Sequence, residues 1–244
     1  MKSLLKIPLL VAVATMMTCS FSACSDNDDP TPDTGTSETD AKFEAIAKQY
    51  LDHTVYVTYK NLADETEQLV KDLQALKSSK TDANVKATCE TFLEARAWWE
   101  KSEAFLYGAA TDFGIDPHID SWPLDLDGLQ TALKNTEQVE AMGGEDGDIY
   151  AGEKLGNSLL GFHGIEYILF EDGSPKSVSK ISDLHLTYAV AVAGDLRNRC
   201  WQLELSWRGE SAVNADCVAK VANELELPYT VNSGEYSYGE NMLN

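Results

Sequence analysis

The chain has 244 residues, 43% of them hydrophobic, enough for one good core or two small ones. Its 19 Lys and Arg stand against 40 Asp and Glu, and a net charge of −21 disfavours nucleic acid and anionic headgroups as partners and favours cations. None of the five cysteines falls in a CxxC or a Cys/His zinc spacing.

Lys2 and Lys6 flank the start of an apolar run over residues 7–17. The run is too short to span a bilayer but fits a secretory signal core. Phe21-Ser22-Ala23-Cys24 then resembles a bacterial lipobox, with Phe21 in place of the usual Leu. The expectation is a lipoprotein signal peptide over 1–23 and a lipid on Cys24 that holds the protein in the outer membrane. Cleavage without lipidation is the alternative. The acidic stretch Ser25-Asp26-Asn27-Asp28-Asp29 fits a surface-export tag or a plain solvated tether, so the chain belongs to the cell envelope, periplasmic or surface-exposed. Residues 24–40 read as a flexible acidic tether, because Pro, Thr, Asp, Ser and Gly cannot offset the entropy of ordering.

An apolar stripe through Phe43, Ala47, Tyr50 and Val57 continues on Leu62, Leu69, Leu73 and Leu76 and predicts a helix over 43–76. The stripe changes phase at 58–61, where a kink is expected. Thr81 or Asp82 can cap a second helix reaching Tyr107, on Val85, Cys89, Phe92, Arg96, Trp99, Glu103 and Leu106, and Gly108 ends it. Residues 108–124 read as a long loop, and a loop of that length suggests function. A short helix follows over 125–134, then a Gly-rich turn over 143–147 and a central helix over 153–170. A long helix over 179–207 runs on Ala189, Val192, Leu196, Cys200, Leu203 and Trp207. A last piece lies within 211–225, and 228–244 shows no period. With no useful β-alternation, the fold class is all-α, a helical bundle of up-and-down long helices with one long functional loop. The bundle occupies 41–210, and 211–244 reads as the start of a second, truncated region. Cys89 and Cys200 lie on apolar stripes and read as buried free thiols.

His163 and Glu166 stand one helical turn apart and share a face, where an imidazole and a carboxylate can chelate one metal ion or share one proton. Extending the stripe from Leu155, Leu159 and Phe162 puts Glu166 at a core position, where a lone carboxylate needs a partner. Arg96 and Glu103 also point inward. One reading is purely structural, with Arg96 bridging Glu103 and Glu166 while His163 donates to a backbone carbonyl. The other adds loop acids, Asp116, Asp120 and Asp125 among them, to make a site of one imidazole and several carboxylates. That donor set suits Fe²⁺, Mn²⁺ or Zn²⁺. His53, His118, His185, Asp112 and Asp127 read as ordinary polar residues. There is no His-Glu-x-x-His, no GxSxG and no phosphate-binding Gly-rich loop, and the Glu-x-x-His of di-iron bundles occurs only once and reversed.

Gly161-Phe162-His163-Gly164-Ile165-Glu166 resembles the GxHxxE signature of imelysin-like proteins, a family named for an insulin-cleaving membrane protease. Arg96, Trp99, Glu103, Phe105 and Gly108 are similar to its second-helix segment, and Trp122-Pro123-Leu124-Asp125 to its loop motif. The resemblance implies a helical bundle outside the cytoplasm, linked to iron uptake through a possible iron-transport component. It places the site at His163 and Glu166, with Glu103 and Asp120 as further metal ligands. Arg96, Trp122, Asp125 and Gly161 support them. The implied cofactor is a divalent metal, iron first, with zinc or manganese as substitutes. Two rival functions stand beside this metal-binding one: a metal-dependent peptidase of the imelysin type, and a structural or adhesive surface lipoprotein. Family members continue into a second bundle that this chain is expected to lack.

Overall fold

The structure, a computed structural model, describes residues 38–231 and 234–243. The expected signal peptide, the lipid site at Cys24 and the tether as far as residue 37 lie outside the described residues. Helix α1 (Glu38–Tyr50) begins inside the expected tether, where Glu38 and Asp40 favour the positive end of a helix. It passes through a π-helical turn, Leu51–Val55, into α2 (Tyr56–Ser78). A π turn changes the side-chain phase of the helix. That accounts for the phase change in the stripe, slightly before the expected kink and without a break.

Thr81 caps α3 (Asp82–Ser102) by accepting from the Asn84 N–H at 3.1 Å. The short connection folds α3 back along α2. The helix gives way to a 3₁₀ turn at Glu103–Phe105, earlier than expected. The stretch read as a loop is largely helical: α4 (Ala109–Asp112) and α5 (Ile115–Ile119) bury Ala109, Ala110, Ile115 and Ile119 completely. Those four side chains are too few and too interrupted by Gly and Pro to show a period in sequence.

Asp125 caps α6 (Leu126–Lys134) through a bond from the Gly128 N–H at 2.9 Å. After α7 (Thr136–Ala141), the expected central helix is in fact two pieces, α8 (Gly147–Lys154) and α9 (Gly161–Leu169), separated by a 3₁₀ turn at Asn157–Leu159. Gly156 and Gly161 punctuate the break. Gly161 has φ +64°, a left-handed conformation, and a Cβ there would overlap the Ile119 carbonyl. The residue is therefore what allows the start of α9 to lie against the end of α5. A two-residue hairpin, β1 (Phe170–Glu171) and β2 (Ser174–Pro175), turns at Asp172 and Gly173, both at positive φ.

Helix α10 (Asp183–Arg208) is the axis of the bundle. Ser182 and His185 form a reciprocal capping box at its start. Its expected stripe, Ala189 through Trp207, is buried, and so are residues on its other faces such as Tyr188, Asp195 and Asn198. A helix buried on every face is enclosed; α2, α8, α9 and α12 (Tyr238–Leu243) all pack on it. The last segment does not stand apart as a second region would. Cys217 of α11 (Ala215–Val218) and Val221 of the following π turn pack on Ala63, Trp201 and Leu205. From Glu38 onward the chain is one compact unit. The aperiodic tail closes with α12, whose Tyr238 stacks near Trp207 at 5.6 Å between centroids. Cys89, Cys200 and Cys217 are free and buried, and burial pushes the Cys89 and Cys217 thiols up to about 12.

Candidate functional site

Three short-range facts assemble the site. The last two turns of α3 present Arg96 and Trp99, the end of α5 presents Asp120, and the first turn of α9 presents His163. Because Gly161 lets α9 meet Ile119 directly, Asp120 arrives beside the histidine. Its carboxylate, 11% exposed, accepts from the Arg96 guanidinium, from Trp99 Nε1 at 2.7 Å and from His163 Nε2 at 3.0 Å. Burial alone would raise the Asp120 pKa, but the bonds from His163, Arg96 and Trp99 win and hold it at about 2.

An ionised carboxylate only accepts, so His163 Nε2 must carry the proton in this pair. The other ring nitrogen, Nδ1, lies 3.2 Å from Glu166 Oε2. Asp120 does most to raise the His163 pKa above its ordinary value; burial opposes, and Glu166 adds to the rise. The imidazole is thus gripped between a buried carboxylate and an exposed one. Trp122 lies across it, ring centroids 4.9 Å apart and tilted by 56°. Its side of the site opens on a cleft of about 410 Å³ walled by Phe92, Leu93, Leu124, Tyr167 and Phe170, with Glu166 at the rim.

Several expectations need correction. Glu166 is not a core residue: its side chain is 54% exposed. The break at Gly156–Leu160 resets the helical phase, so α9 buries Phe162, Ile165, Ile168 and Leu169 instead. Arg96 does not bridge Glu103 and Glu166; it binds Asp120 and, at 2.5 Å, Glu100 on its own helix. His163 meets carboxylates on both sides, not a backbone carbonyl. Glu103 is exposed in its 3₁₀ turn and makes no hydrogen bond to His163, Asp120 or Glu166. Its pKa is raised by burial and then by Glu100, Asp116 and Asp120, which marks it as a neighbour of the acidic group. Asp125 serves as the α6 cap and its backbone N–H bonds Ser158 O at 3.1 Å. Among the described residues no group of three His, Cys, Asp or Glu side chains is arranged to hold a metal ion.

Two polar clusters had no signal in sequence. His118 Nε2 bonds Asp195 Oδ2 at 2.8 Å and ties α5 to α10 across 77 positions. Asp148 accepts from Asn198 at 2.9 Å, Lys220 at 3.0 Å and Arg197 at 3.0 Å. Only the excess of polar residues on the buried α10 could have pointed to either. Asp112, by contrast, accepts from Tyr238 at 2.7 Å as an ordinary tertiary contact.

The sequence profile of the Imelysin family, peptidase M75, matches residues 55–235 and so includes every residue of this site. The chain is 31% identical over 163 residues to the iron-regulated protein A of Synechococcus elongatus, covering 66% of this chain and 40% of that protein. It is also similar to a solved structure from Parabacteroides distasonis, described as an iron-regulated protein A precursor. There the TM-score is 0.62 at 26% identity, over 84% of this chain and 55% of that one. The chain spans about half the length of these two relatives, or less.

Proposed function

Since the chain belongs to the imelysin family, we propose that it is an extracytoplasmic, lipid-anchored protein that takes up a divalent metal ion, iron first, at His163 and Glu166. The observation that carries this is the placement of His163 between Asp120 and Glu166. A histidine that donates one ring N–H to a carboxylate has its tautomer and orientation fixed and its free nitrogen made more basic, as metal-binding histidines do. Here the bond to Asp120 keeps the proton on Nε2, so loss of the second proton frees Nδ1 toward Glu166. One nitrogen and one carboxylate oxygen suit Fe²⁺, Mn²⁺ or Zn²⁺. Asp120 acts behind the histidine and not as a ligand, because the Arg96 guanidinium already occupies it. Glu103 contributes negative potential at longer range.

The relatives called iron-regulated protein A support the choice of iron as cargo, and the net charge of −21 favours a cation. No helix among the described residues is long and apolar enough to cross a membrane; in this reading the lipid on Cys24 is the anchor. Calorimetric titration with Fe²⁺ under anaerobic conditions, and with Mn²⁺ and Zn²⁺, tests the site. His163→Ala and Glu166→Ala should each weaken binding at least about tenfold, and Asp120→Asn by about 10 to 100-fold through the histidine. Equal heats from the native chain and from the variant lacking both ligands would remove the proposal. Metabolic labelling with a fatty acid tests the anchor, and label retained in Cys24→Ala would refute it.

A further inference from the structure

The protein offers the ion few donors. His163 Nδ1 and Glu166 make two, whereas divalent ions of this class take four to six. No third ligating side chain is grouped with them among the described residues, and Asp120 is held by Arg96 and Trp99. The space next to these two donors is walled mainly by apolar side chains. It is the cleft of about 410 Å³, walled by Phe92, Leu93, Tyr167 and Phe170, with Trp122 standing 73% exposed at its edge over the imidazole. Its size is that of a small-molecule site. Its rim carries Glu166, Glu171 and Asp172, so an anionic occupant would meet like charge.

We propose that the cargo is not a bare ion but a metal chelate: a divalent ion already held by a small, aromatic, neutral or cationic carrier. This rests on the metal-binding reading above. The carrier's donors fill the coordination positions that the protein leaves open, its rings lie in the cleft against Trp122, and the ion meets His163 and Glu166. Charge settles the carrier's class. A neutral carrier leaves the divalent ion's positive charge intact beside three carboxylates, whereas a carrier bearing several carboxylates reverses it.

The test compares three probes on the full chain by quenching of tryptophan fluorescence and by calorimetry: Zn²⁺ alone, its equimolar complex with phenanthroline, and its equimolar complex with nitrilotriacetate. Phenanthroline alone is the control. The phenanthroline complex should bind at least about tenfold more tightly than Zn²⁺, and the anionic complex more weakly than Zn²⁺. Leu93→Ser, at an exposed position in the cleft, should remove part of the tenfold advantage while leaving Zn²⁺ affinity within about twofold. Trp122→Ala, which removes the ring over the imidazole, should remove most of it. Equal affinity for Zn²⁺ and its phenanthroline complex would overturn the chelate while leaving the ion site standing. So would an advantage untouched by either variant. Failure of every probe would overturn both, and a dimer by light scattering that excludes the complex would assign the cleft to a second copy instead.

Discussion

Two buried aspartates in this molecule solve the same problem in different ways. Asp120 and Asp148 are each 11% exposed, each accepts from an arginine and two further donors, and each has its pKa lowered in spite of burial. Around Asp148 the donors are Arg197, Lys220 and Asn198, none of which changes charge near neutral pH. The network closes on itself and pins α8 to α10 and to the segment after α11. Around Asp120 one donor is a histidine, and beyond it lie Glu166, Trp122 and the apolar cleft. A carboxylate paired with fixed charges holds helices together; one paired with a histidine that reaches the surface can also pass a proton or set a ligand. The two acids share charge and burial and differ in whether a donor can change its protonation near neutral pH.

The largest effect should come from the hinge of the second network. Gly161→Ala places a side chain in the left-handed region and into the Ile119 carbonyl, and should cost about 3 to 5 kcal/mol in urea denaturation. A loss under 1 kcal/mol would mean that α5 and α9 do not need this approach. Next come the two hubs. Asp120→Ala and Asp148→Ala each leave buried donors without an acceptor and should destabilise by about 3 kcal/mol. Only the first should also weaken metal binding, and weakened binding in both would erase the distinction drawn between them.

The pH dependence sharpens the contrast. The His163 pKa is raised on folding, so its stabilising contribution is fully present below its unfolded value near 6.5 and fades as pH rises through the folded value. The Asp120 pKa is lowered to about 2, so its contribution is present above about 4 and lost as pH falls toward 2. Between about pH 4 and 6.5 both act. Denaturation of the native chain should therefore show this part of its stability decline from pH 6 to 9, and His163→Gln should flatten the curve. The deficit of Asp148→Asn should stay constant over that range. Smallest in stability is Glu166→Gln, an exposed partner worth about 0.5 kcal/mol or less, although metal affinity should fall at least about tenfold.

Much of the bundle is legible in the sequence because long helices repeat their apolar positions. The α10 stripe, the α3 cap at Thr81 or Asp82 and the short helix from Asp125 to Lys134 are all close to where the sequence places them. The pairing of His163 with Glu166 is equally local, since three positions in a helix make one turn. What failed was extrapolation across breaks. Carrying the phase of Leu155 and Leu159 into α9 turned Glu166 inward, and only the glycines at 156 and 161 hinted at the interruption. The partners of Arg96 were misassigned because Asp120 reaches it through tertiary packing over 24 positions. No spacing rule covers that distance. Trp99 lies on the α3 stripe and its indole is buried, yet its N–H is what helps fix Asp120. The π turn at Leu51–Val55 shows the opposite case, in which a phase change in the pattern had a definite physical counterpart.

The proposed ion site stands or falls with His163. The chain contains four histidines, His53, His118, His163 and His185, so ring signals from a chain labelled with ¹⁵N-histidine can be assigned by single substitution. Stoichiometric Zn²⁺ should shift the His163 Nδ1 resonance strongly, leave the proton on Nε2 donated to Asp120, and leave His118 and His185 in place. An unmoved His163, or a metal-dependent shift centred on His118 and Asp195, would contradict it.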